Sequence, residues 1–213
     1  MTGDPISVLL VDDHTVVRNG VRLMLGTVSD IEVTGEAETA QEALDLVQRQ
    51  DFKVALVDIA LPDRSGLDLL KLIRLKKPAL PVLMLSMYSE DIYAVRALKH
   101  GAAGYLTKNS PTATLVGAIR KAAAGGKYIS PALAEQFASN IGGSAVVSHE
   151  ALSDRELEVL KLLVSGDSLA AIAKTLHLSP NTVTTYRSRI CQKLRLKSNA
   201  ELTRYALEQG LLL

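Results

Sequence analysis

The chain has 213 residues, of which 47% are hydrophobic and 22% charged, an ordinary composition for one large or two small globular domains. The net charge of +1 hides an asymmetry, because residues 1–124 have 14 Lys and Arg against 15 Asp and Glu, and residues 149–213 have nine against seven. The sequence lacks the roughly 18 uninterrupted apolar residues of a membrane span and the basic start of a secretory signal. A single cysteine excludes an internal disulfide, and we expect a cytoplasmic protein.

The first 124 residues alternate short apolar runs with segments of helical periodicity. The apolar runs predict five strands, at 6–11, 31–33, 54–57, 82–85 and 104–106. Each run is followed by apolar residues at helical spacing, such as Leu67, Leu70 and Ile73 after the third. Five such units predict an α/β fold, with a doubly wound parallel sheet and helices on both of its faces.

The amino-acid pattern changes after residue 124. We predict a linker at residues 125–148, in which residues 131–139 could form a short helix, because this stretch is rich in glycine and serine near its end. Residues 149–213 predict an all-α domain of four helices. Several residues indicate where these helices begin and end, in chain order a capping box at Ser153 and Glu156, Gly166, Ser168, a turn at His177 and Leu178, Ser179 before Pro180, and Gly210.

Polar residues follow the predicted strands at the edge of the sheet where such folds bind ligands. The first strand ends in Asp12 and Asp13, the third in Asp58, the fourth in Ser86, and the fifth leads to Lys108. Crowded carboxylates repel one another unless a cation joins them, and Mg²⁺ prefers oxygen ligands. Such an ion would neutralise phosphoryl oxygens, so that an aspartate could attack phosphorus while Lys108 pairs with the same oxygens.

Taken together, the residues Val11-Asp12-Asp13-His14, Asp58-Ile-Ala-Leu-Pro62-Asp-Arg-Ser-Gly66, Ser86 and Gly104-Tyr105-Leu-Thr-Lys108 resemble two-component receiver domains, across residues 5–124. The resemblance implies a five-stranded flavodoxin-like fold with Asp58 as the phosphoacceptor. It implies that Asp13, Asp58 and the backbone carbonyl of Ala60 hold Mg²⁺, with Asp12 close behind. It also implies that Lys108 contacts the phosphoryl group and that Ser86 and Tyr105 form a switch pair, in which Tyr105 turns inward on phosphorylation.

Each of these residues has a simpler structural interpretation. Asp12 or Asp13 could cap the next helix, Ser86 could lie in a turn, and Tyr105 could fill the edge of the core. Two other functions also remain open for the same site. One is a Mg²⁺-dependent phosphatase or phosphotransferase that uses Asp58 on an external substrate, and the other is a regulator that works without phosphorylation.

The segment from Ser168 to Leu194 predicts a helix-turn-helix, whose second helix enters the major groove. One face of this second helix is apolar, with Val183, Tyr186, Ile190 and Leu194. The opposite face offers side chains suited to base edges, namely Thr184, Thr185, Ser188, Arg189 and Gln192. Polar and basic residues at the ends and flanks would meet phosphates, namely Asn181, Thr182, Arg187, Lys193 and Lys197.

The runs Leu152-Ser-Asp-Arg-Glu156-Leu-Glu-Val-Leu160, Ile172-Ala173, Leu178-Ser179, Thr182-Val183 and Lys193-Leu194 resemble the LuxR-type helix-turn-helix. Joined to a receiver, they resemble the NarL/FixJ class of response regulators. The resemblance implies a transcription regulator and not an enzyme with an external substrate. Its implied partners are a sensor histidine kinase, promoter DNA, RNA polymerase and a second copy of the chain. The class commonly has lysine and histidine where this chain has Thr184 and Tyr186, which leaves its operator sequence open. A helical bundle whose basic face contacts only solvent or the receiver is the alternative.

Overall fold

The computed structural model describes residues 4–87, 90–140, 149–176, 178–209 and 211. These residues form two compact units, with the division between residues 141 and 142. The predicted turn at His177, the predicted stop at Gly210 and residues 141–148 of the predicted linker lie outside the described residues.

The first unit is built on a parallel sheet of five strands. The strands are β1 (Ile6–Val11), β2 (Ile31–Ala37), β3 (Val54–Val57), β4 (Val82–Ser86) and β5 (Gly104–Thr107). Their spatial order is β2-β1-β3-β4-β5, and every neighbouring pair is parallel. This is the order of a flavodoxin-like doubly wound sheet, so the predicted fold class is confirmed. The strand order reverses between β1 and β3, and a ligand-binding crevice is expected at that point.

The described residues of this unit also form six helices. They are α1 (Thr15–Leu25), α2 (Ala40–Arg49), α3 (Gly66–Lys76), α4 (Glu90–Lys99), α5 (Thr112–Ala123) and α6 (Pro131–Asn140). On one face of the sheet, Leu10 of β1 packs in a cluster with Leu25 of α1 and Ile119 of α5. The alternate strand residues Leu9 and Val57 are equally buried, so both faces of the sheet are covered.

The second unit consists of helices. A short 3₁₀-helix (His149–Ala151) precedes α7 (Asp154–Val164), α8 (Leu169–Thr175), α9 (Pro180–Leu194) and α10 (Asn199–Glu208). The predicted capping box is present at the start of α7, where Ser153 and Glu156 bond reciprocally. Gly166, just beyond α7, has a φ of +94°, a conformation that favours glycine. In and after α10, Leu202 and Leu211 are core residues, whereas Leu207 is 64% exposed. No helix among the described residues has the length and apolar character needed to cross a bilayer.

Candidate functional site

The predicted acidic residues converge at the carboxyl edge of the sheet in the first unit. Asp12 and Asp13 follow β1, and Asp58 follows the neighbouring strand β3. Oxygen atoms of these three carboxylates and a ring nitrogen of His14 all lie within 4.8 Å of one another. Because β1 and β3 are adjacent and parallel, their ends bring the carboxylates together although the residues are far apart in the chain.

Lys108 joins two of these carboxylates. Its Nζ lies 2.6 Å from Asp12 Oδ2 and 2.7 Å from Asp58 Oδ2, and all three side chains are at least nine-tenths buried. Burial raises the pKa of the Asp58 carboxyl above its ordinary value, and the bond from Lys108 opposes that shift without cancelling it. Burial alone would lower the pKa of Lys108, but its bonds to Asp12 and Asp58 outweigh this effect and raise it. The site therefore keeps a buried ammonium group beside Asp58.

The loop between β3 and α3 folds tightly over Asp58. The backbone N–H of Gly66 donates to the carbonyl of Ile59 at 2.7 Å, and Ser65 caps α3 by accepting from Leu67. A Cβ atom at position 66 would lie 1.9 Å from the carbonyl oxygen of Asp58, so only glycine fits here. The Ala60 backbone, in the same loop, also opposes the rise in the pKa of the Asp58 carboxyl. This loop thus fixes the backbone of Asp58 and contributes to the electrostatic environment of its carboxylate.

The sequence interpretation missed Arg18, which organises the end of β1. This α1 residue is 7% exposed, and its Nη1 donates to the backbone carbonyl of Asp12 at 2.7 Å. Its guanidinium also bonds Glu38, just after β2, and lies 3.4 Å from Glu36 of β2. The signal was a cation on the buried stripe of α1, at helical spacing from Val21.

Asp63 was also missed as a contact between two loops. Its carboxylate accepts the backbone N–H groups of Ala40 at 2.9 Å and Gln41 at 3.0 Å, at the start of α2. A negative charge at a helix N-terminus is favourable, so Asp63 ties the loop that covers Asp58 to α2. The sequence offers no periodic signal for this contact, because the partners lie in separate crossovers.

The remaining predicted residues of this site have clear positions. Ser86 is the last residue of β4, not a turn residue, and is 1% exposed. Tyr105 is also 1% exposed, so this structure already has the inward ring that the prediction assigned to the phosphorylated state. Neither aspartate caps α1, whose N-cap is His14; instead, the His14 N–H donates to Asp12 Oδ1 at 2.9 Å. The Nδ1 atom of His14 lies 2.7 Å from Asp13 Oδ1.

The second unit presents α9 in the predicted orientation. Val183, Ile190 and Leu194 are buried, and Tyr186 is half-buried. The residues predicted for base edges are all exposed: Thr184, Thr185, Ser188, Arg189 and Gln192. Of the flanking residues, Asn181, Lys193 and Lys197 are exposed, and Thr182 and Arg187 are half-buried. Ser179 and Pro180 begin the helix as predicted, with Ser179 accepting from the Thr182 N–H.

Two of the predicted basic DNA contacts have side-chain partners on other helices of the unit. Arg187 Nε donates to Asn199 Oδ1 at 2.7 Å, at the start of α10. Lys193 Nζ donates to Glu156 Oε2 at 2.6 Å, and Glu156 is 3% exposed. Burial raises the pKa of Glu156, but its bonds from Lys193 and Ser153 outweigh burial and lower it. Lys193 therefore holds α9 to the capping box of α7 in this structure.

Comparison with known families assigns both units. Residues 8–120 match the response regulator receiver domain family, and residues 150–206 match the bacterial regulatory proteins of the luxR family. The two matches follow in chain order and fall in the two separate units. The α/β unit is thus a receiver domain, and the helical unit is a LuxR-type DNA-binding domain.

Relatives show the same arrangement over almost the whole chain. The response regulator GacA of Pseudomonas protegens is 37% identical over 207 residues, which cover 97% of both chains. The response regulator UvrY of Escherichia coli K12 is 36% identical over 208 residues, which cover 97% of this chain and 95% of UvrY. The structure of RcsB from Salmonella enterica serovar Typhimurium, bound to promoter P1flhDC in the presence of phosphomimetic BeF3-, has 26% identity and a TM-score of 0.72, covering 95% of this chain and 98% of RcsB. The chain therefore belongs to the NarL/FixJ class of response regulators, which regulate transcription through a receiver domain and a LuxR-type DNA-binding domain.

Proposed function

We propose that this response regulator accepts a phosphoryl group on Asp58 from a partner sensor histidine kinase. The observation that carries the proposal is the buried Lys108 ammonium, 2.7 Å from Asp58 Oδ2 and 2.6 Å from Asp12 Oδ2. A carboxylate oxygen of Asp58 attacks phosphorus, the bond from phosphorus to the donor breaks, and its electrons leave with the donor. Lys108 then pairs with the phosphoryl oxygens, whose negative charge replaces that of the Asp58 carboxylate.

The donor set fits Mg²⁺. Asp13, Asp58 and the backbone carbonyl of Ala60 would hold the ion, with Asp12 beside them, and hard oxygen ligands of this kind suit magnesium. Asp13 Oδ1 is buried and accepts no hydrogen bond from the described residues, and a cation bound there would replace its close contact with His14 Nδ1 at 2.7 Å. When bound, the ion would neutralise charge on the phosphoryl oxygens.

Phosphorylation would act through Ser86 and Tyr105. Ser86 ends β4, the strand next to β3, which Asp58 follows. The backbone carbonyl of Ser86 also accepts the Lys108 N–H at 2.8 Å. A phosphoryl dianion with strong acceptor oxygens would draw the Ser86 hydroxyl toward Asp58. We propose that Tyr105, whose ring is already inward, is held in place by this movement and stabilises the active surface of α4 and β5.

The output would be promoter binding by a homodimer. We assign residues 1–124 to the receiver, 125–148 to a linker that includes α6, and 149–213 to the DNA-binding domain. The proposed phosphate contacts are Asn181, Thr182, Arg187, Lys193 and Lys197, and the proposed base contacts are Thr184, Thr185, Ser188, Arg189 and Gln192. The structure of RcsB on promoter DNA supports DNA binding by this unit. Two recognition helices would lie about one turn of DNA apart.

Phosphorylation and dimerisation together must shift the population from inactive to active. A nearly complete shift requires a preference of about 5.5 kcal/mol for the active state, which the two events can share. RNA polymerase is the proposed final partner at the promoter, and we propose a cytoplasmic location for these reactions.

The test is enrichment of genomic DNA fragments by the full chain, with and without acetyl phosphate and Mg²⁺. The wild type should enrich defined sites, and phosphate should strengthen that enrichment. Asp58→Asn should enrich the same sites without a response to phosphate. Equal enrichment by both proteins under all conditions would refute phosphate control, and turnover of a phosphate ester in many-fold excess over protein would show an enzyme instead.

A further inference from the structure

The hydroxyl groups on the exposed face of α9 are already used as donors. Thr184 Oγ1 donates to the carbonyl of Pro180 at 3.0 Å, and Thr185 Oγ1 donates to that of Asn181 at 3.0 Å. Ser188 Oγ makes the same bond to Thr184, at 3.1 Å. A hydroxyl has only one proton, so these side chains keep acceptor lone pairs but have no donor left for a base.

The two threonines therefore present mainly methyl groups outward. Both are exposed and lie within the first two turns of α9, the part of a recognition helix that contacts base edges. In the major groove, the C5-methyl group of thymine is the apolar feature that a threonine methyl can contact.

The nearby cations do not compete for this position. Arg187 is half-buried and bonded to Asn199, and Lys193 is bonded to Glu156. Arg189 is exposed and has no hydrogen-bond or ion-pair partner within the described ranges, but it lies one turn beyond Thr185. Arg and Lys make the commonest guanine contacts, and the one such residue in the first two turns, Arg187, is bonded to Asn199 in this structure.

We propose that Thr184 and Thr185 determine operator specificity by contacting thymine methyl groups. The inference rests on the proposed DNA binding and adds which bases the start of α9 selects. The operator half-site then contains thymine opposite this part of the helix, and removal of the thymine methyl weakens binding.

The experiment removes a methyl group from either side of the contact. Sites are first selected from random duplex DNA by the full wild-type chain with acetyl phosphate and Mg²⁺. Each thymine of the selected site is then replaced in turn by uracil, which lacks only the C5-methyl group. At the contacted positions, the affinity of the wild type should fall about fourfold, because replacement by uracil removes the buried methyl group of thymine.

Two variants at each position separate the methyl group from the hydroxyl. Thr184→Ser and Thr185→Ser keep the hydroxyl and should no longer distinguish thymine from uracil at one position each. Thr184→Val and Thr185→Val keep a methyl group and should still distinguish them. Thr203→Ser is the matched control, because Thr203 Oγ1 makes the same backbone bond, to Asn199 at 3.0 Å, on α10.

The possible outcomes are distinct. Failure of the wild type to select any sequence would overturn the proposed DNA binding itself. Selection of a site at which every uracil binds as well as thymine would overturn only the methyl readout. Discrimination that persists unchanged in both serine variants would assign the readout to other residues and equally refute the role of the two threonines.

Discussion

Gly66 provides a direct test of how the loop after β3 positions the phosphoacceptor. In Gly66→Ala, the new Cβ would lie 1.9 Å from the carbonyl oxygen of Asp58 and 2.8 Å from its carbonyl carbon. Carbon and oxygen atoms normally approach to about 3.3 Å, so the two backbones must separate by about 1.4 Å. The bond from Gly66 to Ile59, at 2.7 Å, is then strained or lost.

We expect two consequences of Gly66→Ala. Overpacking of this kind costs about 1–3 kcal/mol in the free energy of unfolding. A displacement of about 1 Å at a reacting group costs about 100-fold in rate, so phosphorylation by acetyl phosphate should slow by about that factor. The assays are urea unfolding followed by circular dichroism and the initial rate of phosphate incorporation.

The matched control is Gly117→Ala, on α5 of the same unit. An added Cβ there meets nothing within 4 Å, so the change should stabilise the helix by about 0.5–1 kcal/mol and leave the phosphorylation rate unchanged. If Gly66→Ala unfolds at the wild-type urea midpoint and is phosphorylated at the wild-type rate, the loop does not constrain the position of Asp58.

Three further predictions concern single side chains. Arg18→Met should weaken Mg²⁺ binding by about tenfold in calorimetry, because the Asp12 carbonyl and Glu38 lose their donor. The control Arg22→Met changes an exposed neighbour and should leave the affinity unchanged. Equal affinities of the two variants would contradict this prediction. Glu156→Ala should lower the free energy of unfolding of the helical unit by about 2 kcal/mol, since it removes half of the capping box and the partner of Lys193. In the same urea titration, Glu208→Ala should lower this free energy far less. Partial burial lowers the pKa of Lys161 to about 8 from 10.5, so the unfolded chain binds more protons between these values and stability should rise with pH there. Lys161→Met should be more stable than wild type at pH 7. A stability difference that did not shrink between pH 8 and 10.5 would be inconsistent with a partly buried ammonium.

The sequence by itself determined the fold and the positions of the acidic residues. The runs at 6–11 and 54–57 are apolar except for Ser7, and aspartate follows each of them. A buried parallel strand therefore delivers that carboxylate to one known edge of the sheet. The helix ends around Ser153 and Ser179 were equally predictable, because capping depends on residues within one turn. Local periodicity gives the direction of a side chain relative to its own element.

Only the tertiary structure decided which side chains meet across elements. Lys193 could be predicted as a basic residue of α9, but its partner Glu156 lies 37 positions earlier in the chain. Arg18 likewise bonds Glu38, and Asp63 bonds the Ala40 N–H, each in another crossover, and the inward ring of Tyr105 depends on how its neighbours pack. Periodicity fixes the face on which a residue lies, whereas its partner depends on the packing of elements that are distant in sequence, and that packing sets the charge and geometry of both sites.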